Sequence, residues 1–229
     1  MHETMNQAGN AAGPESGNEI RPTFFALSEF PWTRDVEAAH DEILAECASL
    51  RADEYGPYPG EGLYNHSWNL FPFYVPGRRF ERNLERCPKT AAALRRIPNA
   101  TLAMFSRLGP GAHVKPHHGH STLVLRYHLG VLVPPGATAE RLALRVGRDV
   151  RPWEAGKSLV FDDMNEHEAW NRTDATRVVL MVDFLRPFRH RTSLLGHVRQ
   201  RLMYLSPQWR RRYAEKLEGF GPRPYEATA

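Results

Sequence analysis

Between positions 101 and 184 the chain carries five apolar segments separated by turn signals, and this block restricts it to a β-rich core. Residues 101–108, 123–133, 141–146, 158–161 and 177–184 are rich in Val, Leu and Phe, and Gly-Pro, Pro-Pro-Gly and Asn-Arg-Thr breaks punctuate them. Short β-branched and aromatic runs bounded by such breaks read as successive strands. Ahead of the block, Val36, Ala39, Ile43, Cys47 and Leu50 recur every three to four residues, which predicts an amphipathic helix over 33–50 with Thr33 as its N-cap. Pro88 opens a second helix reaching about Arg96, since proline is tolerated in a first turn. Residues 56–62, with Pro57 and Pro59, read as a loop. Beyond the block, Leu194, Leu195, Val198 and Leu202 stripe one closing helix, and Ser206-Pro207 opens another in which Trp209, Tyr213 and Leu217 share a face. Helices, a long β block and helices again predict a mainly β fold with helical buttresses, a sandwich or distorted barrel.

At 229 residues one domain with a full core is expected: a polar leader over 1–20, the core domain over 21–189 and a helical extension over 190–229. The net charge of +4 is mildly basic, and much of the excess lies late, in Arg186, Arg189, Arg191, Arg199, Arg201 and Arg210-Arg211-Arg212. No nucleic-acid-binding motif accompanies those arginines, so a solvated helix face is the reading. Cys47 and Cys87 are the only cysteines, too few for a disulfide framework, which favours a reducing cytoplasm. No apolar run approaches the ~20 residues that cross a bilayer. The expected partner is therefore a small-molecule, amino-acid or peptide substrate, without nucleic acid or membrane.

The chemistry concentrates in His113-Val-Lys-Pro-His117-His118-Gly119-His120, followed by His128 and His167. Neutral imidazole is the commonest side-chain ligand of first-row metals, so the cluster is either a metal site or a polar surface loop. Within 123–133, alternation sends Arg126 and His128 to one face and Leu125, Tyr127, Leu129 and Val131 to the other. The strand is apolar on both sides of that pair, so both faces are expected to be covered. A buried arginine requires an anion. Asp162 or Asp163 would serve from inside the domain, and a dicarboxylate ligand would serve equally; Arg177 is a second inward arginine of the same kind.

The stretch Phe105-Ser-Arg-Leu-Gly-Pro-Gly-Ala-His-Val-Lys-Pro-His117-His-Gly119 resembles the aspartyl/asparaginyl β-hydroxylases. So do Leu125-Arg-Tyr-His-Leu-Gly130, Trp153-Glu-Ala-Gly-Lys157, Phe161-Asp-Asp163 and Glu166-His-Glu-Ala-Trp-Asn171 leading to Arg177, in the same order from about Trp68 to Pro187. The resemblance implies a double-stranded β-helix (jelly-roll, cupin-like) core and an Fe(II)-dependent dioxygenase with 2-oxoglutarate and O2 as co-substrates. It implies His117 and His167 as the metal ligands, Arg177 with Ser106 at the distal carboxylate of 2-oxoglutarate, and Arg126 and His128 near its metal-bound end. Trp68 matches a tryptophan near the active site, and His120, where a non-ligand residue is expected, reads as a substrate group or a support to the ligands rather than a third ligand.

Most oxygenases of the wider class add a carboxylate ligand two residues after the first histidine. Here that position is Gly119, and the family resembled lacks the acid too. Val124 stands where animal members carry an arginine for the substrate carboxylate, which weakens an assignment to aspartate. The sequence shows neither membrane anchor nor helical-repeat domain, so a secretory-pathway substrate is not expected. The expectation is a hydroxylase acting on an amino-acid side chain, Asp/Asn-like, free, carrier-bound or in a peptide. The alternatives are a non-catalytic small-anion-binding module on the same barrel and a 2-oxoglutarate-dependent halogenase.

Overall fold

Along the strand Arg177–Leu185 the side chains alternate between two separate cores, and that alternation sets the architecture. Leu180, Val182 and Phe184 join one buried apolar cluster, whereas Val179 and Met181 join another. The structure, a computed structural model, describes residues 22–60, 62–65 and 67–187, together with Val198, Leu202, Ser206 and Pro207. The leader, and all but those four positions of the expected C-terminal extension, lie outside the described residues.

In chain order the helices are α1 (Thr33–Glu37), α2 (His40–Ser49), α3 (Glu81–Arg86) and α4 (Pro88–Leu94). The strands are β1 (Gly56–Pro57), β2 (Trp68–Val75), β3 (Arg78–Arg79), β4 (Ala100–Leu108), β5 (His113–His117), β6 (Val124–Leu132), β7 (Leu142–Val146), β8 (Asp149–Pro152), β9 (Ser158–Phe161), β10 (His167–Asn171) and β11 (Arg177–Leu185). They form a seven-stranded sheet in the order β1-β2-β4-β11-β6-β9, with β3 on β2, and a four-stranded sheet in the order β5-β10-β7-β8. Strand pairing within both sheets is antiparallel. The fold is a double-stranded β-helix, as expected.

The outer face of the large sheet, with Phe71, Phe73, Phe105, Leu125, Tyr127 and Leu129, packs under Val36, Ile43, Leu84, Ala91 and Leu94 of the helices. Its inner face, with Leu70, Leu102, Met104, Val179 and Met181, meets Val114, Leu142, Leu144 and Val146 of the small sheet. Burying both faces of one sheet explains why its strands read as near-continuous apolar runs. Among the described residues no helix is long and apolar enough to cross a membrane.

The helix expected over 33–50 is two helices, and Thr33 is not its cap. The Thr33 hydroxyl donates to Phe30 O at 2.8 Å, so Thr33 lies in the first turn, and the chain turns through Ala38 and Ala39 before α2 begins. The helix at Pro88 is as expected but ends at Leu94. Its N-terminus is capped from a distance: Glu46 of α2 accepts from the Lys89 and Thr90 backbone N–H groups at 2.7 and 2.8 Å. A carboxylate there satisfies orphan donors and complements the helix dipole. Val198, Leu202 and Pro207 are helical, in keeping with the stripe and the Ser206-Pro207 start at those positions.

Candidate active site

β5 and β10 are antiparallel neighbours in the small sheet, with His117 directly opposite His167. The two imidazole rings stand 4.0 Å apart, centroid to centroid, at 49°. Each uses Nδ1 in the same way: His117 Nδ1 reaches Lys115 O at 2.8 Å and His167 Nδ1 reaches Asn165 O at 3.0 Å. A carbonyl oxygen only accepts, so both Nδ1 atoms carry the proton and both Nε2 atoms keep a lone pair. His167 Nε2 is buried without a hydrogen-bond partner. Burial, then the neighbouring His117, pulls the His167 pKa down to about 3, and burial also lowers that of His117. Two neutral rings with bare Nε2 atoms suit a divalent first-row metal, with the outer nitrogens already oriented by backbone. Among the described residues no group of three or more His, Cys, Asp or Glu side chains is placed to hold a metal ion.

Inward-facing positions of the large sheet supply the adjoining wall. His128 on β6 is buried, and its Nδ1 accepts from Trp153 Nε1 at 3.2 Å. Burial, then the positive charges of Arg177 and Arg126, holds its pKa well below the usual histidine value. The ring is therefore a neutral Nε2–H tautomer, and that Nε2 is buried without a partner. Arg177, at the start of β11, is 2 % exposed. Its Nη1 donates to Ser106 O at 3.0 Å, its guanidinium lies 4.2 Å from the centre of the Trp153 ring, and its Nε has no partner. Among the described residues no carboxylate pairs with Arg177, and burial pulls its pKa down to about 9, so at neutral pH it remains a cation. Ser106 Oγ accepts from Trp68 Nε1 at 3.0 Å, which leaves the Ser106 hydroxyl proton free to donate elsewhere.

Arg126 is different, because its anion is internal. Arg126 Nε and Nη2 grip the two Asp183 oxygens at 2.6 and 2.9 Å, and Nη2 lies 3.2 Å from Asp163. Of the two aspartates expected to meet it, Asp163 does so only as the second contact, and Asp162 pairs with Arg186 at 2.7 Å. Asp183 stands opposite Arg126 in the β6–β11 register. His120 lies exposed on the loop after β5, close enough for its charge to depress the His117 pKa. Trp68 is buried, with Tyr58 stacked on it at 3.8 Å and Tyr64 edge-on at 5.6 Å.

Sequence reasoning missed Trp153 as a site residue, although it ties His128 to Arg177. It also missed what fills the space beside Gly119. A Cβ built on Gly119 would lie 2.5 Å from each Asp163 carboxylate oxygen. The position without an acid is thus occupied by an acid from after β9, whose backbone O accepts from Gly119 N at 2.7 Å. Burial lifts the Asp163 carboxyl above the usual carboxylate range against the pull of Arg126, and Asp183 and Asp162 add to the rise. Gly119→Ala is expected to lower stability by about 1–3 kcal/mol through overpacking. Adding Asp163→Ala should return part of that loss, and chemical denaturation of the single and double variants measures both.

Two facing imidazoles and a buried arginine cation thus lie together inside the double-stranded β-helix. The sequence pattern describing aspartyl/asparaginyl beta-hydroxylases matches residues 37–187, and the chain belongs to that family. It is 35% identical over 221 residues to the ornithine lipid ester-linked acyl 2-hydroxylase of Rhizobium tropici, covering 89% of this chain and 78% of that protein. It is 35% identical over 125 residues to the human aspartyl/asparaginyl beta-hydroxylase, covering 52% of this chain and 16% of that one. With human aspartate beta-hydroxylase domain-containing protein 1 it shares 32% identity over 234 residues, 90% of this chain and 57% of that one. The chain therefore spans most of the Rhizobium protein but only parts of the human ones.

Proposed function

We propose that this protein is an Fe(II)- and 2-oxoglutarate-dependent hydroxylase in which His117 and His167 hold the metal. The observation that carries this reading is the buried Arg177 cation, which has no carboxylate partner among the described residues. An uncompensated interior charge costs several kcal/mol, and a small dianion offsets that cost. Arg177 and the Ser106 hydroxyl take the distal carboxylate of 2-oxoglutarate. The His128 Nε2–H, buried and without a partner, donates to an oxygen nearer the metal, while Arg126, held by Asp183, lines the same face of β6. With iron bound, the centre couples conversion of O2 and 2-oxoglutarate to succinate and CO2 with hydroxylation of a substrate C–H bond. The protein's part is to orient the co-substrate and exclude water.

The substrate carries an amino-acid group, in line with the family. A second reading is favoured by one observation: the Rhizobium relative, named for acting on an acyl chain of an ornithine lipid, matches 89% of this chain. The buried Val124, where a carboxylate-gripping arginine is expected, suits an apolar substrate segment. The first test is anaerobic addition of Fe(II) and then 2-oxoglutarate, where a metal-to-ligand charge-transfer band is expected and its absence would refute the site. Succinate release with Asp- and Asn-containing peptides, free amino acids and micellar ornithine lipid then separates the substrates. Gain of one oxygen identifies a hydroxylase, gain of chlorine in chloride a halogenase, and ligand binding without turnover a non-catalytic module.

A further inference from the structure

We propose that Gly109 and Ser67 form a backbone latch that positions Trp68, and through it Ser106, for the co-substrate; this rests on the 2-oxoglutarate pocket proposed above. Ser67 directly precedes Trp68 and has φ of 55°, a left-handed conformation that is uncommon for a residue with a side chain. Its carbonyl accepts from Gly109 N at 2.8 Å. A Cβ on Gly109 would lie 2.7 Å from Ser67 Cβ and 3.2 Å from its Oγ. Gly109 is not among the positive-φ glycines, so its backbone is one an alanine adopts freely. Glycine is needed there for close approach, not for conformation.

What the approach fixes is the ring that follows. Trp68 pairs with Leu108, the residue before Gly109, in the β2–β4 ladder. Its carbonyl accepts from Tyr58 N at 3.0 Å, its ring is stacked under Tyr58, and its Nε1 donates to Ser106 Oγ. The segment leading into it is tied to the turn after β4 by Asn65, which donates to Gly111 O at 3.1 Å and accepts from His113 N at 2.8 Å. With both ends of the segment held, a methyl group on Gly109 has to move Ser67, and Trp68 moves with it. The Ser106 hydroxyl then loses the hydrogen bond that directs its proton toward the pocket. Gly109 and Ser67 are thus positioning residues; neither touches the co-substrate.

The test is a rescue. Gly109→Ala is expected to weaken anaerobic binding of 2-oxoglutarate to the Fe(II)-loaded protein by about tenfold, the scale of one hydrogen bond to a charged group. Fe(II) binding should stay at the wild-type level. In the ligand-free, 15N-labelled protein the Trp68 indole N–H resonance should shift. Ser67→Gly, which deletes the clashing Cβ and suits the left-handed backbone, is the reference against which the double variant is read. In the double variant it should restore affinity to within about twofold, because the two substitutions share one contact. A Gly109→Ala protein with wild-type 2-oxoglutarate affinity would overturn the proposal, as would a folded double variant that stays impaired. If Gly109→Ala does not fold, the double variant with Ser67→Gly must fold and bind 2-oxoglutarate, because the short contact is gone; a double variant that stays unfolded overturns the idea equally. Failure of the wild type to bind 2-oxoglutarate would instead remove the underlying pocket, and this inference with it.

Discussion

Replacing Arg177 with methionine is expected to raise the 2-oxoglutarate concentration for half-saturation by about 10- to 150-fold while the ligand-free protein melts no lower than wild type. The first number follows from losing one charge-assisted contact of about 1.5–3 kcal/mol. The second follows from weighing three terms. Methionine forfeits a cation–π contact with Trp153, worth up to about 2 kcal/mol when desolvated, and the donor to Ser106 O. It also removes an interior cation whose burial without an anion costs several kcal/mol. The last term matches or exceeds the other two, so function and stability separate. Equilibrium binding and thermal denaturation without ligand measure the two halves. Wild-type affinity in the variant would place the co-substrate elsewhere.

His167→Ala should take turnover below detection and abolish the rise in melting temperature that Fe(II) or Mn(II) gives the wild type. At a metal concentration 100 times the dissociation constant that rise corresponds to about 2.7 kcal/mol. Without metal the variant should melt close to wild type, because the lost ring also takes away a buried nitrogen that has no partner. His120→Ala serves as the control: an exposed loop residue, it should keep the metal-induced rise. A His167→Ala protein that still gains stability from metal would remove that residue from the centre.

Which parts of this arrangement were legible in sequence follows from where the information lies. β6 and β11 could be read because both their faces are buried, so pattern and burial coincide. The inward direction of Arg126 and His128 came with them. β2 was not read as a strand: Pro72 interrupts it, and proline removes a ladder donor. The structure accommodates it at a register shift between Pro72 and Tyr74. β5 and β10 bury few apolar side chains, so neither alternation nor composition marks them as strands. Their histidines belonged to a cluster open to two readings, metal site or surface loop, and the family resemblance alone singled out His117 and His167. The Arg126–Asp183 pair spans 57 positions and exists only because β6 and β11 are neighbours in one register. Contact between Gly119 and Asp163 is likewise a tertiary fact, invisible in either segment.

On the proposed ligand assignment, the cross-strand placement of His117 and His167 would make metal binding a gauge of correct pairing. Side chains on a strand alternate faces, so sliding β10 by one position against β5 would present Glu166 or Glu168 opposite His117 and turn the His167 ring to the other surface. On that assignment, only the chain with the right register would gain the free energy of chelation. A metal held by the proposed pair would thereby proofread the small sheet, holding shut the seam between β5 and β10.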